Sequence, residues 1–198
     1  MIFCIGNGKS REAIDLHFLK KYGTIYGCNG IYRDFAPDKL VTNDPLIVNE
    51  IIESGYSKDN VVYLVEKQPS VIIPENHKIF IAPWSDNLYP INSGWGSIRL
   101  AYHFHPEHQI YMIGFDIFGK RKNIYDDTPN YPNSNDKELY PESTEKHYLV
   151  DEWAGMFYLL KDHFCPKIRL TRVIDDDTKI ENIENITTKQ FLEEITWQ

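Results

Sequence analysis

The sequence predicts an α/β fold in a single domain, on the basis of two observations. Short apolar runs typical of buried strands alternate along the chain with segments of helical periodicity, which indicates a mostly parallel sheet with helices on both faces. The 198 residues include 42% hydrophobic ones, enough for one proper core, and no internal repeat or second core is visible. We therefore expect one Rossmann-like domain over residues 1–198, with a long lid loop inserted at 119–146.

The first strand and the first helix enclose a glycine-rich turn. An apolar run from Ile2 to Ile5 leads into Gly6-Asn7-Gly8, and a helical pattern capped by Ser10 then continues to Gly23. Glycines let backbone N–H groups approach an anion, and a helix N-terminus adds partial positive charge, so this turn could cradle a phosphate. It matches neither the dinucleotide fingerprint nor the P-loop, and a tight turn that binds nothing is the alternative.

The remaining elements continue the same alternation. Asp44 and Pro45 open the second helix, because aspartate is a good N-cap and proline suits the first helical position. A second glycine turn, from Asn92 to Ser97, precedes a short helix that ends before Pro106. We expect the other strands at residues 24–29, 39–43, 61–65, 79–82, 109–117 and 167–174, and the other helices at 147–163 and 187–197.

Polar or glycine residues follow four of these strands. They are Gly6-Asn7-Gly8, Cys28-Asn29-Gly30, Asn43-Asp44 and Gly114-Phe115-Asp116. Parallel strands all end at the same edge of a sheet, and α/β sheets bind ligands just beyond that edge. We therefore expect these residues to line one crevice, although each turn is ordinary by itself and Asp116 could instead cap its own loop.

Charge and composition narrow the classes of partner. A net charge of -8 disfavours a general nucleic-acid binder, so an anionic ligand would be held locally by backbone amides and a few cations. The three cysteines fit no zinc pattern, and the acidic run 175–177 is more typical of a solvated turn than of a metal site. With neither a signal peptide nor a transmembrane segment recognised, we expect a cytoplasmic protein without metal or cofactor.

Residues 119–146 differ from the rest of the chain. They contain three prolines, several Asn and Asp, and the tyrosines Tyr125, Tyr131 and Tyr140, with no visible period. A loop this long inside a compact domain is usually a functional lid or disordered. The aromatic residues favour a lid that folds over a ligand.

The order of these pieces resembles the small bacterial sialyltransferases that use CMP-sialic acid. The matching pieces are Ile5-Gly-Asn-Gly-Lys-Ser10, Gly27-Cys-Asn29 with Asn43-Asp-Pro45, Asn92-Ser-Gly94 with Ile110-Tyr-Met-Ile-Gly-Phe-Asp116, and His147. They extend over roughly residues 2 to 174. The hydroxymethylpterin pyrophosphokinase-like proteins look similar at the first glycine turn and at Gly114-Phe115-Asp116.

The resemblance to the sialyltransferases implies a role for each matching residue. His147 would be the general base, and Tyr125 would hydrogen-bond the leaving phosphate, with Tyr131 or Tyr140 as a further candidate. An imidazole suits proton transfer near neutral pH, and hydrogen-bond donors can stabilise the leaving group without a metal. The donor would be a nucleotide-linked sugar, CMP-linked in the first instance, and the acceptor would be an unidentified glycan or small molecule that offers a hydroxyl group. The residues that would contact the donor are Asn7, Gly8, Ser10, Asn29, Asp44, Ser93, Gly94 and Asp116.

Two departures from the family pattern keep other functions open. Asp44 stands where the family has Asn, and Phe118 stands where the family can carry a phosphate-binding Tyr. A pyrophosphokinase would instead need Mg²⁺ held by acids such as Asp44 and Asp116. A third alternative is a non-catalytic protein that uses the nucleotide fold for binding or assembly. The oligomeric state is also open, with a homo-oligomer among the possibilities.

Overall fold

The computed structural model describes residues 1–84, 92–117, 123–131 and 155–197, and within them the fold is built on one parallel sheet. The sheet has eight strands in the order β5-β4-β3-β2-β1-β6-β7-β8, and every neighbouring pair is parallel. This confirms the predicted α/β class. The strands are β1 Ile2–Ile5, β2 Thr24–Cys28, β3 Lys39–Thr42, β4 Val62–Leu64, β5 Ile79–Ile81, β6 Gln109–Ile113, β7 Arg169–Val173 and β8 Glu184–Ile186.

Helical segments cover both faces of the sheet. The α-helices are α1 Leu16–Leu19, α2 Pro45–Glu53, α3 Tyr56–Asp59, α4 Ser93–Phe104 and α5 Thr188–Thr196. Two 3-10 segments, Lys9–Ala13 and Asn29–Arg33, follow β1 and β2 directly. Residues 155–159 are helical and lead into a π-helical turn, Leu160–Phe164. None of the helices in the described ranges is long and apolar enough to cross a membrane.

Alternation along β1 separates the two halves of the core. Ile2 and Cys4 point into one apolar cluster, which contains α4 and the helical residues after 155. Phe3 and Ile5 point into the other, which contains α2 and α5. Because successive strand residues face opposite sides, a central strand that is apolar throughout requires cover on both faces.

The first helix differs from the sequence-based expectation. The segment from Ser10 to Gly23 is not one helix but a 3-10 segment and the short α1, separated by extended backbone at Ile14 with φ -124° and ψ 125°. Asp15 caps α1 by accepting the His17 N–H, and Gly8 rather than Ser10 precedes the 3-10 segment. The Asp15 cap begins a new helix inside a stretch whose apolar residues recur at helical spacing. The spacing of apolar residues does not reveal such a cap.

The second and fourth helices begin with side-chain caps. Asp44 accepts the Leu46 N–H and Pro45 is the first residue of α2, as expected. The glycine turn expected at 92–97 is instead the first turn of α4, because Asn92 caps it by accepting the Trp95 N–H.

The carboxyl-terminal region matches the expectation in part. β7 lies where a strand was expected, and α5 begins with a capping box between Thr187 and Gln190. The first residues of the helix expected at 147–163 lie outside the described part. Sequence reasoning missed β8, a polar three-residue strand beside β7. Asp175 to Asp177 are exposed, as expected of a solvated turn. Asp176 accepts the Thr178 N–H, and Asp175 accepts the Thr188 N–H at the start of α5.

Candidate functional site

The sheet reverses its order at β1 and β6. Strands β2 to β5 extend from one side of β1, whereas β6 to β8 extend from the other. In open α/β sheets, ligands bind beyond the carboxyl ends of the strands at this switch point. The loops there are Gly6-Asn7-Gly8 after β1 and Gly114-Phe115-Asp116 after β6, so the structure places two of the predicted turns side by side.

Backbone hydrogen bonds fasten these two loops to each other. Gly6 N donates to Ile113 O at 2.8 Å, and Gly8 N donates to Gly114 O at 2.9 Å. A Cβ on Gly6 would lie 2.3 Å from Gly114 O, so only glycine allows this approach. The two amides expected to cradle a phosphate therefore already have carbonyl partners in this structure.

Asp116 completes the junction of the two loops. Its carboxylate accepts the Ser10 N–H at 3.0 Å and also the Ser10 hydroxyl. A Cβ on Gly8 would lie 2.4 Å from the Asp116 carboxyl carbon. Arg172 donates twice to Phe115 O, at 3.2 and 3.0 Å, and so fixes the residue before Asp116. One cluster therefore contains Gly8, Ser10 and Asp116. The Asp116 carboxylate lies where a bound anion would accept the Ser10 N–H.

Asn7 extends from this junction toward the second strand. Its Nδ2 donates to the Tyr131 hydroxyl at 3.3 Å, and the same hydroxyl accepts the Gly30 N–H at 2.8 Å. The Asn7 Oδ1 atom is buried, with no hydrogen-bond partner among the described residues. Asn29 adopts a left-handed φ of 48°, which asparagine tolerates, and accepts the Thr42 hydroxyl at 2.9 Å.

Residues 123–131, here called the strap, lie across the glycine turn. Ile124 N donates to Asn7 O at 2.9 Å. The Tyr125 hydroxyl accepts from Arg11 Nη2 at 2.6 Å and donates to Asp34 Oδ1 at 2.5 Å. Burial, followed by the hydrogen bond to Asp34, raises the pKa of Tyr125, so its hydroxyl keeps its proton at neutral pH. The predicted lid is described only over this strap.

Arg33 holds the strap against α2. Its guanidinium donates to both oxygens of Glu50, at 2.7 and 2.6 Å, and also to Thr128 Oγ1 at 2.7 Å and Pro129 O at 2.6 Å. It also lies 5.4 Å and 5.1 Å from the ring centroids of Tyr125 and Tyr131, within cation–π range. Sequence reasoning singled out neither Arg33 nor Glu50, since nothing local marks them.

The contacts of Glu50 favour its charged form. Burial would raise its pKa, but hydrogen bonds from Arg33, Tyr32 and Asn130 outweigh burial and lower the pKa of Glu50 from 4.5 to about 2. Because this pKa is lower in the folded than in the unfolded chain, the stabilisation is complete above about pH 4.5 and is lost as the pH falls toward 2.

Replacing Glu50 with glutamine tests this attachment. At pH 6, urea unfolding should show Glu50→Gln to be less stable than wild type by roughly 1.5–3 kcal/mol, the range for hydrogen bonds to charged groups. The difference should shrink steadily between pH 4.5 and pH 2, as wild-type Glu50 takes up a proton. A difference that stays constant with pH would contradict this assignment.

The other predicted site residues lie around the same edge of the sheet. Ser93 Oγ accepts the Asn43 N–H at 2.9 Å, which joins α4 to the end of β3. A Cβ on Gly94 would lie 3.1 Å from the Phe115 ring, so the first turn of α4 touches the loop after β6. Asp44 caps α2 with its carboxylate. His147 lies outside the described residues.

The described residues contain no group of three or more His, Cys, Asp or Glu side chains that could hold a metal ion. Comparison with protein families, curated proteins and solved structures gives no match.

Proposed function

We propose that this protein is a metal-independent glycosyltransferase, which transfers a sugar from a nucleotide-linked donor, CMP-linked in the first instance, to a hydroxyl acceptor. One observation carries the proposal: two tyrosine hydroxyls on the strap reach the strand ends at the switch point. Tyr131 meets Asn7 and the Gly30 amide there, and Tyr125 meets Arg11. This combination of phenols, amides and a guanidinium suits a phosphate leaving group.

The chemistry requires that negative charge be stabilised as it develops. When the bond from sugar to phosphate breaks, CMP leaves as an anion and the sugar centre becomes oxocarbenium-like. Hydrogen-bond donors fixed in advance stabilise such an anion without a metal. The Tyr125 hydroxyl now donates a hydrogen bond to the Asp34 carboxylate, and it would donate in the same way to a phosphate oxygen. The Tyr131 hydroxyl would also donate to a phosphate oxygen, once it exchanges its contacts with Asn7 and the Gly30 amide for the ligand.

The acceptor hydroxyl must lose a proton as it attacks. The family resemblance assigns this role to His147, whose imidazole is suited to proton transfer near neutral pH. Covering the site would also keep water from the activated sugar. The strap lies over the glycine turn through the backbone bond from Ile124 to Asn7, which supports a covering role for this part of the proposed lid.

The pyrophosphokinase alternative depends on Asp44 and Asp116 as Mg²⁺ ligands. Both carboxylates have other partners in the structure: Asp44 accepts the Leu46 N–H, and Asp116 accepts two bonds from Ser10. A metal ion would have to compete with these bonds. The hydrogen-bond donors that line this edge of the site favour the glycosyltransferase. A requirement for Mg²⁺ would distinguish the two functions.

A thermal-shift screen against CMP, CDP, CTP, UDP, GDP and ATP, each with and without Mg²⁺, tests the donor class. A ligand at 100 times its dissociation constant adds about 2.7 kcal/mol of stability, which raises the melting temperature by several degrees in a domain of this size. We expect selective stabilisation by CMP without metal. Stabilisation only by a triphosphate with Mg²⁺ would favour the pyrophosphokinase, and no shift with any nucleotide would contradict both.

A further inference from the structure

Two buried donors converge on the carboxylate of Asp34. Arg11 Nη2 lies 3.2 Å from Asp34 Oδ2, and the Tyr125 hydroxyl lies 2.5 Å from Asp34 Oδ1. Arg11 is 3% exposed and Tyr125 is 6% exposed, whereas the Asp34 side chain is 53% exposed. The exposed carboxylate of Asp34 is therefore bound by two buried groups, the guanidinium of Arg11 and the hydroxyl of Tyr125.

Arg11 retains donors that this contact does not use. Its Nε and Nη1 atoms are buried and have no hydrogen-bond partner among the described residues. Only Nη2 is bonded there, to Asp34 and Tyr125. Buried N–H groups without acceptors are costly, more so on a charged group. An anion with more acceptor oxygens than a carboxylate has more ways to bond to such a guanidinium.

Phosphate is such an anion. A phosphate monoester has three terminal oxygens, and both arginine and tyrosine form strong charge-assisted hydrogen bonds to phosphate. The position is also suitable, because Arg11 belongs to the 3-10 segment that follows the Gly6-Asn7-Gly8 turn. Tyr125 belongs to the strap that lies across that turn.

We propose that Arg11 and Tyr125 form a phosphate-binding subsite, which the Asp34 carboxylate fills in this structure and which a phosphate group takes by displacing Asp34. Asp34 is then an internal competitor that lowers the affinity for phosphate until a ligand with further contacts replaces it. The inference rests on the proposed function only for the source of the phosphate, which would be the nucleotide of the donor.

The test measures binding of inorganic phosphate by titration calorimetry at neutral pH and fixed ionic strength. Asp34→Asn keeps the size of the side chain and removes its charge, and it should bind phosphate at least tenfold more tightly than wild type. Glu53→Gln is the matched control, because it removes one exposed carboxylate from α2 and should bind phosphate like wild type. Equal affinities in wild type, Asp34→Asn and Glu53→Gln would overturn the proposal.

Two further measurements assign the gain to the subsite and identify the source of the phosphate. Adding Tyr125→Phe or Arg11→Gln to Asp34→Asn should remove most of the gain in phosphate affinity. A gain retained in the folded Tyr125→Phe double variant would overturn the assignment, whether or not the Arg11 variant folds. If Asp34→Asn binds CMP as well as phosphate more tightly than wild type, the ligand of the subsite is a nucleotide. A gain for phosphate alone supports a subsite for the free anion, separately from glycosyl transfer.

Discussion

Replacing His147 with alanine is expected to reduce glycosyl transfer by a factor of about 10²–10⁴, the usual contribution of a positioned acid or base. The dissociation constant for CMP should remain within twofold of wild type, because the proposed base acts on the acceptor hydroxyl and not on the nucleotide. The measurement is the release of CMP from a CMP-linked sugar in the presence of hydroxyl acceptors, together with calorimetric titration of CMP.

The histidine control is His163→Ala, which removes an exposed imidazole from the π-helical turn Leu160–Phe164. It should transfer sugar at the wild-type rate. If His147→Ala also remained fully active, His147 would not be the base. If it lost CMP binding to the same extent as transfer, the residue would act on donor binding or folding instead.

Replacing Gly6 with alanine is expected to cost about 3 kcal/mol of folding stability, at the upper end of the usual range for overpacking. The new Cβ would lie 2.3 Å from Gly114 O and 3.0 Å from Gly114 C, both backbone atoms that cannot rotate away. Separating the loops would also weaken the bonds from Gly6 N to Ile113 O and from Gly8 N to Gly114 O. Urea unfolding measures the loss, which should lower the melting temperature by about 6–12 °C.

Gly155→Ala is the matched glycine control. Residue 155 is helical and exposed, and a Cβ there would meet none of the described atoms within 4 Å. Alanine at an exposed helical position should leave stability unchanged or raise it by up to about 1 kcal/mol. Equal stability of Gly6→Ala and wild type would contradict the close contact between the loops after β1 and β6.

The sequence predicts the sheet well because the pattern that identifies a buried strand is local. Strands β1 to β6 lie in largely apolar runs, β7 lies within the segment 167–174 where a strand was expected, and α2 begins where Asp44 and Pro45 indicate. The shortest polar strand, β8, has no such run and was missed. The helix after β1 was misjudged because its break at Ile14 and Asp15 depends on a local cap rather than on periodicity.

The candidate site was predictable only in part, for a different physical reason. The residues at strand ends could be named because the parallel sheet brings all those ends to one edge. The partners of Arg33 could not be named from the sequence, because Thr128 lies 95 residues away and Glu50 belongs to another helix. The bond between Asp34 and Tyr125 likewise joins residues 91 apart, and no local pattern encodes it.

The most direct test of the proposed function is the release of CMP from CMP-linked sialic acid by the wild-type protein, with a panel of glycan and small-molecule hydroxyl acceptors and in excess EDTA. The proposal predicts release well above the uncatalysed rate, undiminished by the chelator and reduced in both His147→Ala and Tyr125→Phe. Release that requires added Mg²⁺, or that persists in both variants, would contradict a metal-independent transfer that relies on His147 and the strap tyrosine. The absence of any release would contradict the CMP-linked donor itself.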